Sequence, residues 1–242
     1  MIEVRNITKI FSDELGLKQV LLNNLSFNIA DEKITSIIAP VSSGKSTLLK
    51  IISDLENPTD GSIINSSRKK IIYLPSLPSS FPWLSVKQNM LVGRINNSDD
   101  RFNSIINLVG LEGYENHRPH NSSDGFRFRI SLARSLNQNP SLIILDEPFK
   151  MMKQESREEL YLLVKEINKT IKTSFLIATS DVSEALCLAD VTILMKKDPM
   201  EVIPLQIQNT PAAKNWINNN FEEFLKIKNQ IEISLKGNDL NR

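Results

Sequence analysis

A second cysteine is missing from this sequence. Cys187 stands alone, so no disulfide can form within the chain, as expected for a protein of a reducing compartment. Cys187 falls in an apolar helical stretch and reads as a small core residue. A surplus of either charge is missing too. Lys and Arg total 29, Asp and Glu total 28, and the formal net charge is +1, so there is no overall electrostatic case for a nucleic-acid partner. Long apolar runs are absent: stretches such as Ile71–Leu74 and Leu142–Leu145 are far shorter than the roughly 20 residues that cross a bilayer. Any membrane association is therefore expected to come through a partner. The opening MIEVRNITKIF mixes charge with hydrophobicity and has no apolar core of a secretory signal, so export is not expected. No internal repeat, low-complexity tract or long linker is visible.

What is there suits a globular protein with a substantial core: 242 residues, 40% hydrophobic and 24% charged, enough for one domain, with or without a helical lobe. Ile2–Val4, Gln19–Ala30 and Ile34–Ala39 read as strands between turn-like polar residues. A helix is expected over 44–55, then turn chemistry in Asn57-Pro58-Thr59-Asp60-Gly61, then a strand over Lys70–Leu74. Ser85 with Gln88 makes a capping box, and Ile105, Ile106, Leu108 and Val109 have helical spacing. The middle of the chain, about 77–138, is thus expected to be a helical subdomain inserted into a sheet domain. The second half alternates: helix 125–136, strand 142–145, helix 155–170, strand 174–178, helix 182–188 and strand 191–194. That order predicts a mainly parallel sheet covered on both faces. Beyond Val202 the chain reads as less regular, with an amphipathic segment from Pro211 to about Leu235 in a C-terminal extension of about 205–242.

The strongest motif is Ala39-Pro40-Val41-Ser42-Ser43-Gly44-Lys45-Ser46-Thr47, which follows an expected strand and opens an expected helix, the context a Walker A reading requires. In such a loop, backbone N–H groups and a helix N-terminus surround nucleotide phosphates. Lys45 would reach the β- and γ-phosphates, and Ser46 would give a hydroxyl to Mg²⁺. Alone, a Gly-Lys-Ser stretch is also compatible with an ordinary helix start. A second motif, Leu142-Ile143-Ile144-Leu145-Asp146-Glu147, ends an apolar strand in two carboxylates. Asp146 would hold Mg²⁺ through water, and Glu147 would act as general base on an attacking water. Together the motifs predict a P-loop nucleotide binder.

In order and in spacing the chain resembles the ATP-binding cassette family over nearly its whole length. The resemblance rests on the two motifs above and on Asn57–Ile63, Phe81-Pro82-Trp83-Leu84-Ser85-Val86 with Asn89, Arg129–Leu136, Asp146-Glu147-Pro148-Phe149, and Ser183-Glu184-Ala185-Leu186 with Ala189-Asp190. Phe81-Pro82-Trp83 looks similar to ATPase subunits of nitrate, sulfonate and taurine importers. The resemblance implies a P-loop NTPase core of α/β class with a mainly parallel sheet, an N-terminal antiparallel portion and the inserted helical subdomain, all in one cassette of residues 1–242. It implies ATP and Mg²⁺ as ligands, a second cassette and a membrane permease as partners, a possible solute-binding protein, and a place at the cytoplasmic face of the membrane. Phe11 either stacks on adenine or packs in the core. Ser123 and Gly125, in Ser122-Ser123-Asp124-Gly125-Phe126, would close on ATP held by the opposite subunit.

The departures from the family pattern point the other way. Ala39 and Ser42 stand where glycine is usual, Ser76 where a glutamine contacts Mg²⁺ and water, Lys153 where a loop aspartate is usual, and Ser180 where a histidine meets the γ-phosphate. Asp124 would bring a carboxylate towards a polyanion. His117 and His120 do not replace the missing histidine by position and read as surface residues. Two functions follow from the resemblance: an active transport ATPase, or a nucleotide-binding subunit whose hydrolysis is impaired.

Overall fold

Alternating apolar side chains near the N-terminus build an antiparallel ribbon, in which β1 (Ile2–Ser12) pairs with β2 (Lys18–Ile29) and Ile2 lies opposite Ile29. The computed structural model describes residues 1–66, 70–77, 79–93, 99–196, 201–208 and 221–236. After the ribbon come β3 (Ile34–Ile38), α1 (Lys45–Ile52), β4 (Asp60–Asn65) and β5 (Ile71–Leu74). Helices α2 (Val86–Leu91), α3 (Asp99–Leu108) and α4 (Asp124–Leu136) follow, with a single 3₁₀ turn at Pro119–Asn121 before α4. The chain then alternates β6 (Leu142–Asp146), α5 (Gln154–Ile171), β7 (Ser174–Thr179), α6 (Val182–Leu188), β8 (Val191–Lys196) and β9 (Glu201–Gln208), and α7 (Phe221–Lys236) lies beyond.

Among the described residues the strands form two sheets. One has the order β2-β1-β4, and the other β5-β6-β7-β3-β8-β9. The pairs β5·β6, β6·β7, β7·β3 and β3·β8 are parallel, and β9 joins β8 antiparallel at the edge. Because successive side chains of a strand point to opposite faces, the near-continuous apolar runs supply two cores at once. Ile143, Leu145, Phe175 and Ile177 pack with α2, α3, α4 and α5, while Leu142, Ile144, Leu176 and Ala178 pack with α1 and the antiparallel ribbon. A smaller cluster joins Ile38, Val182, Ala185, Leu186 and Leu194 to Ile231 of α7.

Four expectations change. Helix α1 ends at Ile52 and not near Leu55, because Ser53 caps it and Asp54 turns left-handed at φ 61°. Strand β4 was not expected. Its Asp60-Gly61-Ser62 start has the composition of a turn, and its pairing with β1, Ile2 opposite Asn65, is long-range. Strand β9 replaces the expected irregular stretch; Pro204 interrupts its sequence pattern, and proline is accommodated on an edge strand, which β9 is. Cys187 is half-buried rather than a core residue. The capping box at Ser85 is present. Of the amphipathic C-terminal segment, α7 is described, and residues 211–220 lie outside the described residues.

Candidate functional site

The site forms at the carboxyl ends of β3, β6 and β7, three adjacent strands of the parallel sheet, where open α/β sheets bind ligands. The loop leaving β3 turns into α1 through Gly44, which is left-handed at φ 102° and has room only for hydrogen: a Cβ there would sit 2.9 Å from Leu21 Cγ. Ser42 is also left-handed, at φ 60°, and carries the steric cost that glycine avoids. Ala39 does not take that conformation. It is fully buried at the end of β3.

Lys45 is buried, and its ammonium donates to the carbonyl oxygens of Ala39 at 2.8 Å and Pro40 at 2.9 Å. It also pairs with Glu147 Oε1 at 3.0 Å. Glu147 follows β6 directly in a left-handed conformation, φ 46°, and its N–H donates to Ala178 O at 2.8 Å, so the sheet ladder itself holds the residue. The Ser180 hydroxyl donates to Glu147 Oε2 at 3.3 Å. Asp146 is buried; its Oδ2 accepts from the Tyr73 phenol at 2.8 Å, whereas Oδ1 is buried with no partner. Burial, with the Asp146 carboxylate beside it, pushes the Tyr73 phenol well above its usual range. Ser43 Oγ is also buried and unpartnered.

These groups enclose a cavity of about 350 Å³ lined by the loop residues Val41–Thr47 with Ser76, Asp146, Glu147 and Lys150. A second cavity, about 620 Å³, adjoins it and is lined among others by Pro40, Ser180, Asp181, Glu184 and Lys228, again with Glu147 and Lys150. Glu184 is buried with Oε1 unpartnered, and its carboxyl is pushed up to about 7 by that burial, with Asp181 and Glu147 adding to the rise.

The structure therefore brings Val41–Thr47, Asp146 and Glu147 together, with Pro40 on the adjoining wall. Phe11, Ser123 and Gly125 do not line either cavity. Phe11 is 44% exposed on the antiparallel ribbon, with Lys9 Nζ 5.0 Å above its ring, so the core-packing alternative fails. Ser123 caps α4, accepting from Phe126 N at 3.3 Å. Asp124 lies in the first turn of α4 and pairs with Arg127 at 3.9 Å, which offsets the bare carboxylate expected there. Lys153, singled out in the sequence, is the N-cap residue of α5 and does not line either cavity. Near the start of α2, Trp83 is exposed, whereas Met90 is fully buried. His117 and His120 are exposed, as expected, and His117 sits edge-on to Tyr114 and Phe126. Sequence reasoning missed Tyr73, whose role depends on β5 lying beside β6, and Lys150, whose only signal was a charge in the loop after Asp146-Glu147-Pro148-Phe149.

The family model for ABC transporter matches residues 22–150, more than half of the chain. The chain belongs to the ABC transporter family. An aliphatic sulfonates import ATP-binding protein of Bacillus subtilis (strain 168) is 30% identical over 219 residues, covering 86% of this chain and 85% of that protein. The protein of the same name from Bacillus thuringiensis subsp. konkukian (strain 97-27) is 29% identical over 242 residues, covering 96% of each. Among solved structures, a dimeric ATP-binding cassette in a post-hydrolysis state bound to ADP and Pi superposes with a TM-score of 0.72 at 25% identity, covering 87% of this chain and 100% of that chain. The fold is that of an ABC cassette: an α/β P-loop NTPase core with an antiparallel sheet beside a mostly parallel one.

Proposed function

We propose that the chain is the ATP-binding subunit of an ABC importer, acting at the cytoplasmic face of the membrane with a second cassette and a permease subunit. A solute-binding protein would deliver the cargo. The observation that carries this reading is one cavity lined by the phosphate loop, Lys45, Ser46, Asp146 and Glu147. Backbone N–H groups of residues 41–47 and the N-terminus of α1 favour an anion there, and Lys45 takes the β- and γ-phosphates. Import is supported by the relatives, named for aliphatic sulfonates import. Residues 1–242 act as one cassette, with a helical subdomain of about 77–138 facing the permease through Phe81 and Trp83 and a C-terminal extension of about 205–242. None of the described helices is long and apolar enough to cross a membrane.

The residues present fit Mg²⁺. Among the described residues no cluster of three or more acidic, histidine or cysteine side chains could cage a metal, but Mg²⁺ is commonly held by one or two protein groups together with phosphates and water. The unpartnered Asp146 Oδ1 suits one of those waters, and Ser46 offers a hydroxyl. When bound, Mg²⁺ neutralises charge on the β- and γ-phosphate oxygens. Glu147 orients water and accepts its proton, and must exchange Lys45 for that water first.

A second reading, slow hydrolysis, is favoured by Ser180 and Ser76. The Ser180 hydroxyl is engaged with Glu147 at 3.3 Å, and neither side chain has the reach of a histidine or glutamine. One experiment tests both readings: fluorescent-nucleotide titration and phosphate release on the purified chain. Lys45→Ala is expected to weaken ATP binding at least tenfold, about 1.4 kcal/mol; unchanged affinity contradicts nucleotide binding by this loop. Turnover is expected below about 1 per second, the low end for enzymes. A faster rate that disappears in Glu147→Gln refutes slow hydrolysis while leaving nucleotide binding in place.

A further inference from the structure

We propose that Lys150 is a phosphate-binding residue of this site, whose ammonium selects a nucleoside triphosphate over a diphosphate by meeting the terminal phosphate. The inference rests on the nucleotide-binding reading above and adds to it a residue that the loop and carboxylate motifs do not contain.

The first observation is position. Glu147 and Lys150 are the two residues that line both cavities. Lys150 therefore stands where the phosphate-loop cavity opens towards Ser180 and Asp181, beside the carboxylate that must face the terminal phosphate if Glu147 orients the attacking water. Its backbone is bent back to that place by a turn, with Lys150 N donating to Glu147 O at 3.3 Å.

The second observation is charge. The side chains of the phosphate cavity carry two cations, Lys45 and Lys150, against two anions, Asp146 and Glu147. Without Lys150 one cation would face two carboxylates, a poor setting for a polyanion. Lys45 is also committed, since its ammonium is shared among Glu147 and the carbonyls of Ala39 and Pro40. A phosphate that draws Lys45 away from Glu147 leaves that carboxylate without its cation, and a second ammonium alongside compensates. Lys150 is exposed, and its long stem lets a strongly hydrated point charge swing on to a phosphate.

The third observation is support. Arg157 holds the loop that carries Lys150: Nη2 donates to Lys150 O at 3.0 Å and Nε to Met152 O at 2.9 Å, while Nη1 lies 3.7 Å from Asp181 Oδ2. The backbone of residues 150–152 is thereby fixed against the turn after β7, and Lys150 starts from a defined point. Ser180, on that turn, is too short to replace it.

The test uses the full chain, titrated with Mg-ADP and with Mg²⁺ and a non-hydrolysable β,γ-imido analogue of ATP. Lys150→Ala is expected to weaken triphosphate binding about tenfold or more and to change diphosphate binding less than about twofold; Lys150→Arg, which keeps the charge, is expected to restore the preference. Lys45→Ala, in parallel, is expected to weaken both. If Lys150→Ala binds both nucleotides as the unmodified chain does, or loses both equally, Lys150 does not meet the terminal phosphate and the inference is overturned while nucleotide binding stands. If the unmodified chain binds neither nucleotide, the reading beneath the inference fails and the inference falls with it.

Discussion

Glu184 shows what burial does to a single ionisable residue. It sits in the first turn of α6, where Asp181 caps the helix by accepting from Ser183 N and Glu184 N. The Tyr161 hydroxyl donates to its Oε2 at 3.4 Å, and its Oε1 has no partner. Asp181 and Glu147 face it with negative charge, Arg157 with positive charge, and a hydrogen bond from Thr179 opposes the rise. The folded carboxyl is pushed up to about 7 from an ordinary 4.5, so between these values the folded chain holds a proton that the unfolded chain has released. Stability from this group is therefore complete below about pH 4.5 and is lost as pH rises through about 7, a fall on the order of 3 kcal/mol. Glu184→Gln stays neutral and is expected to flatten the fall. Urea midpoints of the two proteins between pH 5 and 8 check this, and parallel curves would show that Glu184 does not titrate in that window.

At the scale of elements, the approach to α2 is built by side chains bonding backbone. Ser85 Oγ accepts from Gln88 N at 3.2 Å, and Gln88 Oε1 accepts from Ser85 N at 2.9 Å. Asn89 is fully buried; its Oδ1 accepts from Phe81 N at 2.7 Å, and its Nδ2 donates to the carbonyls of Phe81, Leu84 and Ser85. That network shapes the turn which leaves Trp83 in solvent and stacks Phe81 under Arg134 at 4.8 Å. Ser85→Ala removes a cap and is expected to cost about 1 kcal/mol. Asn89→Ala strips partners from buried backbone groups and is expected to cost more, about 2–3 kcal/mol. The order of the two denaturation midpoints is the measurement; equal losses would mean the Asn89 network adds nothing beyond the helix cap.

For the whole molecule, the informative fact is what one chain does not assemble. Ser123 and Gly125 lie at the start of α4 and do not line the cavity around Lys45, so if they contact nucleotide, a second chain must present them. The structural relative bound to ADP and Pi is dimeric. With Glu147→Gln to hold ATP unhydrolysed, sedimentation is expected to show a doubling of mass with Mg-ATP and none with Mg-ADP. Ser123→Ala together with Gly125→Ala is expected to reduce that dimer. A monomer under every condition would oppose a sandwich between two copies of this chain and leave pairing with a different cassette as the route.

Local order carried the motifs. Gly44-Lys45-Ser46 between an apolar strand and a helix, and Asp146-Glu147 at the end of another, are legible because their chemistry lies in adjacent residues and their elements follow from short-range periodicity. The helices α5 and α6 and the parallel strands between them were legible for the same reason. Strands β4 and β9 were not, since their pairing with β1 and β8 depends on distant backbone edges. Nor could one sequence show that Tyr73 would reach Asp146, that Arg127 would accompany Asp124, or that Lys150 rather than Lys153 would border the cavity around Lys45. By itself the sequence determined which loop and carboxylate motifs the chain carries and that a mainly parallel sheet presents them. Only the tertiary structure decided which of those groups share one cavity, because that depends on how strands distant in the chain lie side by side and where a loop's turn points its side chains.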